Sequence, residues 1–350
     1  MNAMLKGTGI LTIVLSAAAC ADRTITDPPR AISATSAASV FSVGTLAVPD
    51  VIVTFEPTSA GPWYLPFPIP VHGQDDWSSL GANGSGCALY DHQIVENALG
   101  AYTYPTFAAQ SLRLSNAVTS GCFGDQTFSK RLPNGASGEP DAEGTEFEFS
   151  PGLTRSHFEA QWDFASTVPD AEQPDLSVVA SPDRGDGSRM SWVQMLDTPN
   201  GIDINFFEVR GRSDPAHFVG PLRIVSNLDR TVPHTIRITM DFIEGPSNDV
   251  VKVYVDGQLK EIGTSWENYY RYDAEAVAHA GKVPIVNRIL FRTGGAAAID
   301  NLGKGFLIDN FSMKSAQGPA NANQCRNGGW QTYDWFSNQG ECMQSVNTGK

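Results

Sequence analysis

The chain has 350 residues, 41% of them hydrophobic, and carries 24 Lys and Arg against 38 Asp and Glu, a formal net charge of −14. That length and apolar share suffice for one large β domain with appendages, and 33 Gly with 22 Pro suit a turn-rich fold short of disorder. So acidic a balance argues against a polyanion-binding surface, because nucleic-acid affinity comes from Lys and Arg displacing counterions.

Residues 1–19 combine Lys6, an apolar run over 10–15 and the small residues Ser16, Ala17, Ala18 and Ala19 ahead of Cys20. This is the pattern of a secretory signal, and no other segment approaches the ~18 apolar residues that a membrane span needs. It resembles a bacterial lipoprotein signal, which implies a lipid on Cys20, although Ala17 stands where that family prefers Leu. Cleavage after Ala19 without lipid is the alternative. The expectation is a secreted protein, lipid-anchored to a bacterial outer membrane or cell surface and meeting the membrane only through Cys20. Residues 20–48, rich in Ala, Ser and Thr, read as a flexible tether. An oxidising compartment lets the other four cysteines pair, in any of three ways. Proximity favours Cys87 with Cys122 and Cys325 with Cys342, each bond stabilising by about 3–4 kcal/mol in the chain-entropy model.

Residues 49–316 carry strand patterns. A first strand covers 51–56 and stops at Pro57, whereas 73–110 hold Gly, Asn and aromatics without a sustained period and predict long loops over a sheet. Alternation returns at 111–115, 146–149, 157–164, 176–180, 190–196 and 201–209, with turn signals at 183–187 and 198–201. The clearest hairpin puts Ile236, Ile238, Met240 and Phe242 on one face and Thr235, Arg237, Thr239 and Asp241 on the other. Its second strand opposes Val251, Val253 and Val255 to Lys252, Tyr254 and Asp256, and a tight turn follows at Asp256 and Gly257. Strands at 287–293 and 305–313 complete the set, and only 273–280 looks helical. Many short strands with a turn roughly every 8–12 residues predict an all-β fold, an antiparallel β-sandwich or jelly roll.

The run from His234 to Gly257 resembles the closing strands of laminin-G-like and other concanavalin A-like lectin/glucanase jelly rolls. Phe55 with Glu56, and Leu307 to Asn310, resemble the first and last strands of the same superfamily. The likeness spans residues 49–316 and implies a concanavalin A-like jelly roll, a fold shared by lectins, carbohydrate-binding modules, glycoside hydrolases and polysaccharide lyases. It also implies a structural Ca²⁺ where first and last strands meet, with Glu56 and Asp309 supplying the hard oxygens that ion requires. The plainer alternative is that Asp309 and Asn310 hydrogen-bond a neighbouring loop. After a linker at 317–324, residues 325–350 carry Cys325, Gly328, Gly329, Trp330, Phe336, Asn338, Gln339, Gly340 and Cys342. They resemble a short C-terminal motif of secreted bacterial proteins. So short a segment buries little core, so a disulfide and Trp330 must hold it.

A retaining hydrolase needs two carboxylates about 5–5.5 Å apart, which the glucanases of this superfamily carry on one strand. Glu159, Gln161 and Asp163 form the nearest match, but residues four apart on a strand lie ~13 Å apart. Asp203 and Glu208 fall on opposite faces. A lyase needs a group to neutralise a uronate and a Tyr or His as base. Arg113, Gln161, His157, Tyr269 and Tyr270 have the right chemistry, yet Gln93 and Ile94 are followed by Val95 where that family has His. Glycan binding needs stacking aromatics and planar polar groups on a sheet. The candidates are Trp77, Arg113, Trp192, Trp266, Tyr269 and Tyr270, and the stretch 266–272 stands out because so aromatic a loop should cover something. Arg184, Gly185 and Asp186 make a good turn and nothing more, and the six His show no metal-ligand spacing. The sequence leads to a non-catalytic protein that binds a glycan or other cell-surface polymer, or serves as a surface scaffold. A polysaccharide lyase or glycoside hydrolase with an atypical site is the alternative.

Overall fold

The computed structural model describes residues 50–55, 77–80, 91–97, 104–107, 109–118, 126–133, 135–139, 154–184, 189–275 and 285–348. Cys20, Glu56, Cys87, Cys122 and the strand expected at 146–149 lie outside them.

Two antiparallel sheets make a β-sandwich. The eight-stranded sheet runs β14 (Gln258–Gly263), β13 (Val250–Val255), β12 (His234–Asp241), β7 (His157–Ser166), β17 (Phe306–Ala316), β4 (Gln110–Ser115), β3 (Asp91–Glu96). Here β1 (Val51–Val53) pairs with β17 beyond its stretch along β4. The seven-stranded sheet runs β11 (His217–Leu228), β10 (Gly201–Arg210), β9 (Trp192–Thr198), β8 (Ser177–Asp183), β16 (Arg288–Gly294), β5 (Gln126–Phe128), β2 (Ser78–Leu80). A small third sheet joins β15 (Ile285–Val286) to β6 (Ser137–Gly138).

Hydrophobic alternation decides which way each strand faces, since a period of two sends every second side chain inward. Phe158, Ala160, Trp162 and Phe164 of β7 meet Ile236, Ile238 and Met240 of β12 and Val251, Val253 and Val255 of β13 in one core. Val178, Ala180, Val193, Met195, Ile204, Phe206, Ile289 and Phe291 close it from the seven-stranded sheet. The hairpin read from the sequence is thus the one observed, with Ile236 opposite Val255 and Met240 opposite Val251.

Four elements differ from the sequence reading. The stretch 73–110 contains β2 and β3 as well as loops. The long β11 went unseen because it is a largely exposed edge strand interrupted by Gly220 and Pro221, so no apolar alternation marks it. The helix α1 at Glu267–Tyr272 was not expected, whereas of the 273–280 segment expected to be helical Ala274 and Glu275 are helical and 276–280 lie outside the described residues. The C-terminal motif, closed by the Cys325–Cys342 disulfide, ends in a second helix, α2, at Gln339–Thr348.

Candidate functional site

On β9 the inward turn of Val193 and Met195 sends Trp192 and Gln194 to the outer face of the seven-stranded sheet. Cross-strand register then places Phe207 beside Trp192 and Asn205 beside Gln194. The same row continues through Val179 to Arg292. The amides are fixed: Asn205 Nδ2 donates to Gln194 Oε1 at 3.0 Å, and Gln194 Nε2 donates to Ser177 Oγ at 2.7 Å. Around Trp192 the aromatic rings accumulate. Phe207 lies 5.4 Å and Trp266 5.9 Å from it, centroid to centroid, and the Arg189 guanidinium sits 5.5 Å over its ring.

The segment leading into α1 builds the rim of this nest. Its backbone is tied down by Trp266 N–H donating to Met190 O at 2.8 Å, and the Trp266 indole N–H donates to Phe207 O at 3.1 Å. Tyr270 donates its hydroxyl to Arg189 O at 2.7 Å. Phe218 of β11, 47% exposed, packs edge-on against Trp266 at 5.0 Å and lies 5.5 Å from Tyr269. Burial, with Arg292 nearby, lowers Arg189 to about 10, so it stays charged at neutral pH. Burial and the acids Glu275 and Asp273 push the Tyr269 phenol up to about 12.

Trp192, Trp266, Tyr269 and Tyr270 are therefore brought together, whereas the other two predicted ligand residues lie elsewhere. Trp77 is wholly enclosed between the sheets, against Phe55, Phe291 and Phe311. Arg113 faces out from the eight-stranded sheet, but both its Nη atoms grip the Asp91 carboxylate, at 2.8 and 2.5 Å, and it is 2% exposed. Sequence reasoning passed over Phe207, Phe218, Gln194, Asn205, Arg189 and Arg292. The outward alternation of Trp192 and Gln194 was the available signal, but their partners come from other strands.

The acid series of β7 lies on the opposite sheet. Glu159 Oε1 is 3.5 Å from Arg237 Nη1. Asp163 accepts from Thr235 Oγ1 at 2.6 Å and Asn310 Nδ2 at 2.8 Å. Asp309 is completely buried, and its two carboxylate oxygens accept from Ser111 Oγ at 3.0 Å and its neighbour's backbone N–H, that of Asn310, at 2.7 Å.

Among the described residues a second acidic group forms where α1 meets the turn after β12. Carboxylate oxygens of Glu139, Asp249 and Glu267 all lie within 4.8 Å of one another, a buried set of hard oxygens that can hold a metal ion. Arg271 of α1 already reaches Glu139 and, at 3.5 Å, Glu267. Backbone N–H groups of Asn248 and Asp249 donate to Glu267 Oε1 at 2.8 and 3.1 Å, and Ser265 donates its hydroxyl to Asp249 Oδ2 at 2.6 Å. Burial, followed by the Glu267 and Glu139 charges, pushes the Asp249 carboxyl well above its ordinary value. A carboxyl raised on folding binds its proton more tightly in the native state, so it costs stability as pH climbs from the unfolded value through the folded one. In EDTA, Asp249→Asn should therefore raise Tm, and by more at pH 8 than at pH 5. Thermal unfolding followed by circular dichroism reads this as about 2–4 °C for each kcal/mol relieved.

No protein-family model and no curated protein matches the chain. Several solved structures are similar in part. The alginate lyase Aly36B shares 9% identity over 66% of this chain and 99% of its own, with a TM-score of 0.33. The cellulose-induced protein Cip1 shares 10% over 67% of this chain and 90% of its own, also at 0.33. A sialidase shares 13% over 69% of this chain at a TM-score of 0.31, and the chain spans 21% of that protein's length.

Proposed function

We propose that the protein binds a glycan, without cleaving it, across Trp192 on the outer face of the seven-stranded sheet. One observation carries the reading: a partly exposed indole stands two residues along the strand from the partly exposed amide of Gln194, which buried Asn205 holds in a set orientation. A sugar ring presents an apolar C–H face and a rim of hydroxyls. The indole suits the first and the Gln194 amide the second. The acids on this face are already engaged, Asp203 accepting from Asn227 N–H at 3.0 Å and lying 3.1 Å from Arg223 Nε, which favours binding over hydrolysis.

The same reading takes the sandwich as a concanavalin A-like jelly roll, secreted and lipid-anchored through Cys20, with Ca²⁺ between Glu56 and Asp309. A carboxylate oxygen is the ligand type the ion needs, and Asp309 would have to offer it alongside the hydrogen bonds it already accepts from Ser111 Oγ and Asn310 N–H. Polysaccharide cleavage is the second reading. Arg189 beside Tyr269 favours it, but a phenol pushed up to about 12 is a poor base at neutral pH.

Screening neutral and uronate-containing glycans by array, then titrating hits by calorimetry in Ca²⁺ and in EDTA, tests both readings. Trp192→Ala should weaken binding about 30-fold or more, the loss of a hot-spot aromatic costing about 2 kcal/mol or above. Full affinity in that variant sinks the proposal, and a reducing end or unsaturated uronate released from a bound polymer replaces it with the second reading.

A further inference from the structure

The whole-chain balance of −14 conceals where the charges sit. Strand alternation and pairing place Arg223, Arg288 and Arg292 on the outer face of the seven-stranded sheet, where Arg189 lies over Trp192. Among the described residues, the acids of that face are Asp183, opposite Arg288, and Asp203, beside Arg223. An acidic chain thus turns a cationic surface outward on the side that bears Trp192, and local charge, not the total, decides what such a surface attracts. One cross-strand row orders these charges. It runs from Arg223 of β11 through Asn205 of β10, Gln194 of β9 and Val179 of β8 to Arg292 of β16. Gln194 is at its centre, and with ~4.8 Å between neighbouring strands each arginine stands about 10 Å to one side.

Arg223 is 65% exposed, and its Nε lies 3.1 Å from Asp203 Oδ2, while its Nη groups make no hydrogen bond among the described residues. Asp203 is itself fixed by the Asn227 N–H at 3.0 Å, so the guanidinium is held in place with its outer edge open. At the other end Arg292 is partly exposed and close enough to Arg189 for the two like charges to repel. Val179 between them is short and buried, so a ligand crossing the row meets the ends of Gln194 and Arg292. We infer that the glycan is an acidic oligosaccharide lying across the strands, with anionic groups on Arg223 and Arg292 and a sugar ring on Trp192 between them. The inference rests on Trp192 being the glycan platform. A ligand spanning the row covers both guanidinium groups, and a neutral one would take them out of water with no counter-charge in return. Carboxylates and sulfate esters both match the guanidinium fork, and the span between the arginines is longer than a single sugar.

Calorimetric titration of the full chain with hexagalacturonate, with the same hexamer fully methyl-esterified, and with a sulfated galactan hexasaccharide reads the charge directly. The acid and its ester share a backbone and its stacking faces, so the ester should bind about tenfold more weakly or worse, the worth of one hydrogen bond to a charged group. Arg223→Gln should cost a similar factor for the acid and little for the ester, and so should Arg292→Gln where circular dichroism shows it folded. Should Arg292→Gln not fold, the exposed Arg223 carries the test alone. Lys260→Gln removes an exposed cation from β14 on the other sheet and should bind as the native chain does. A sulfated probe bound in place of the uronate, with the same loss in the arginine variants, names sulfate as the anion. An ester bound as tightly as the acid overturns the inference, and so does failure of both acidic probes to bind. Trp192→Ala separates this from the broader reading: unchanged affinity there sinks the platform, whereas affinity lost with Trp192 but kept in the arginine variants sinks only the charge.

Discussion

Replacing Trp77 with alanine should destabilise the protein by about 3–5 kcal/mol, the range for deleting a buried tryptophan. The ring lies between the sheets with no exposed surface. It meets Phe55 edge-on at 5.0 Å and Phe311 at 5.1 Å, on the side of the eight-stranded sheet, and lies 6.1 Å from Phe291 of the other sheet. Phe291 in turn packs edge-on against Trp162 at 5.5 Å, so a cavity at Trp77 strips partners from a chain of rings joining both layers. A second variant sharpens the test. Among the described residues the indole N–H of Trp77 finds no hydrogen-bond acceptor, and an unsatisfied buried donor carries a desolvation cost. Trp77→Phe removes that cost along with part of the ring, so it should lose clearly less than Trp77→Ala. Guanidinium unfolding, with the midpoint falling at constant slope, is the measurement. A loss under about 1 kcal/mol for alanine would place Trp77 outside the cooperative core.

The same residue shows where sequence stops informing. In a run of Gly, Asn and Asp, Trp77 looks like a surface aromatic, and only the closing of the sheets over it makes it core. The hairpin of β12 and β13 was legible because one face of each strand is uniformly apolar and burial follows alternation. Edge strands lack that constraint. In β11 and β14 both faces are largely solvated, so alternation is neither required nor present. The site was legible in its aromatic members from β9 and α1, since Trp192 and the stretch 266–272 stand out by composition alone. Its other half follows from pairings between distant strands, such as Asn205 with Gln194 and Phe207 with Trp192, which no local pattern encodes. The buried acids behave similarly. Glu139 and Glu267 are far apart in the chain, and neither is marked by a neighbouring residue as part of a cluster.

Arg113 supplies the other large effect. It projects to the outer face of the eight-stranded sheet, yet both it and Asp91 are almost wholly buried, at 2% and 5% exposure. Arg113 Nη1 also donates to Lys304 O at 2.7 Å, and Gly303 N–H donates to Asp91 Oδ2 at 3.2 Å, so the pair holds the chain just ahead of β17. Asp91→Ala leaves a guanidinium buried without its carboxylate and should cost about 3–5 kcal/mol. Most of that cost belongs to the stranded charge rather than to the lost attraction. The double variant Asp91→Ala with Arg113→Met should therefore be more stable than Asp91→Ala alone, since a flexible apolar side chain fills the site without a charge to solvate. Burial pulls the Asp91 carboxyl upward, but Arg113 outweighs it and holds the group below its ordinary value. A carboxyl depressed on folding stabilises above its unfolded value, and that contribution is lost as pH falls through the folded one. The deficit of Asp91→Ala relative to the native sequence should thus be full at pH 7 and shrink below pH 4, as urea unfolding at the two pH values can show. If the double variant is no more stable than Asp91→Ala, the cost lies in the anchoring of Gly303 and Lys304 rather than in an unpaired charge.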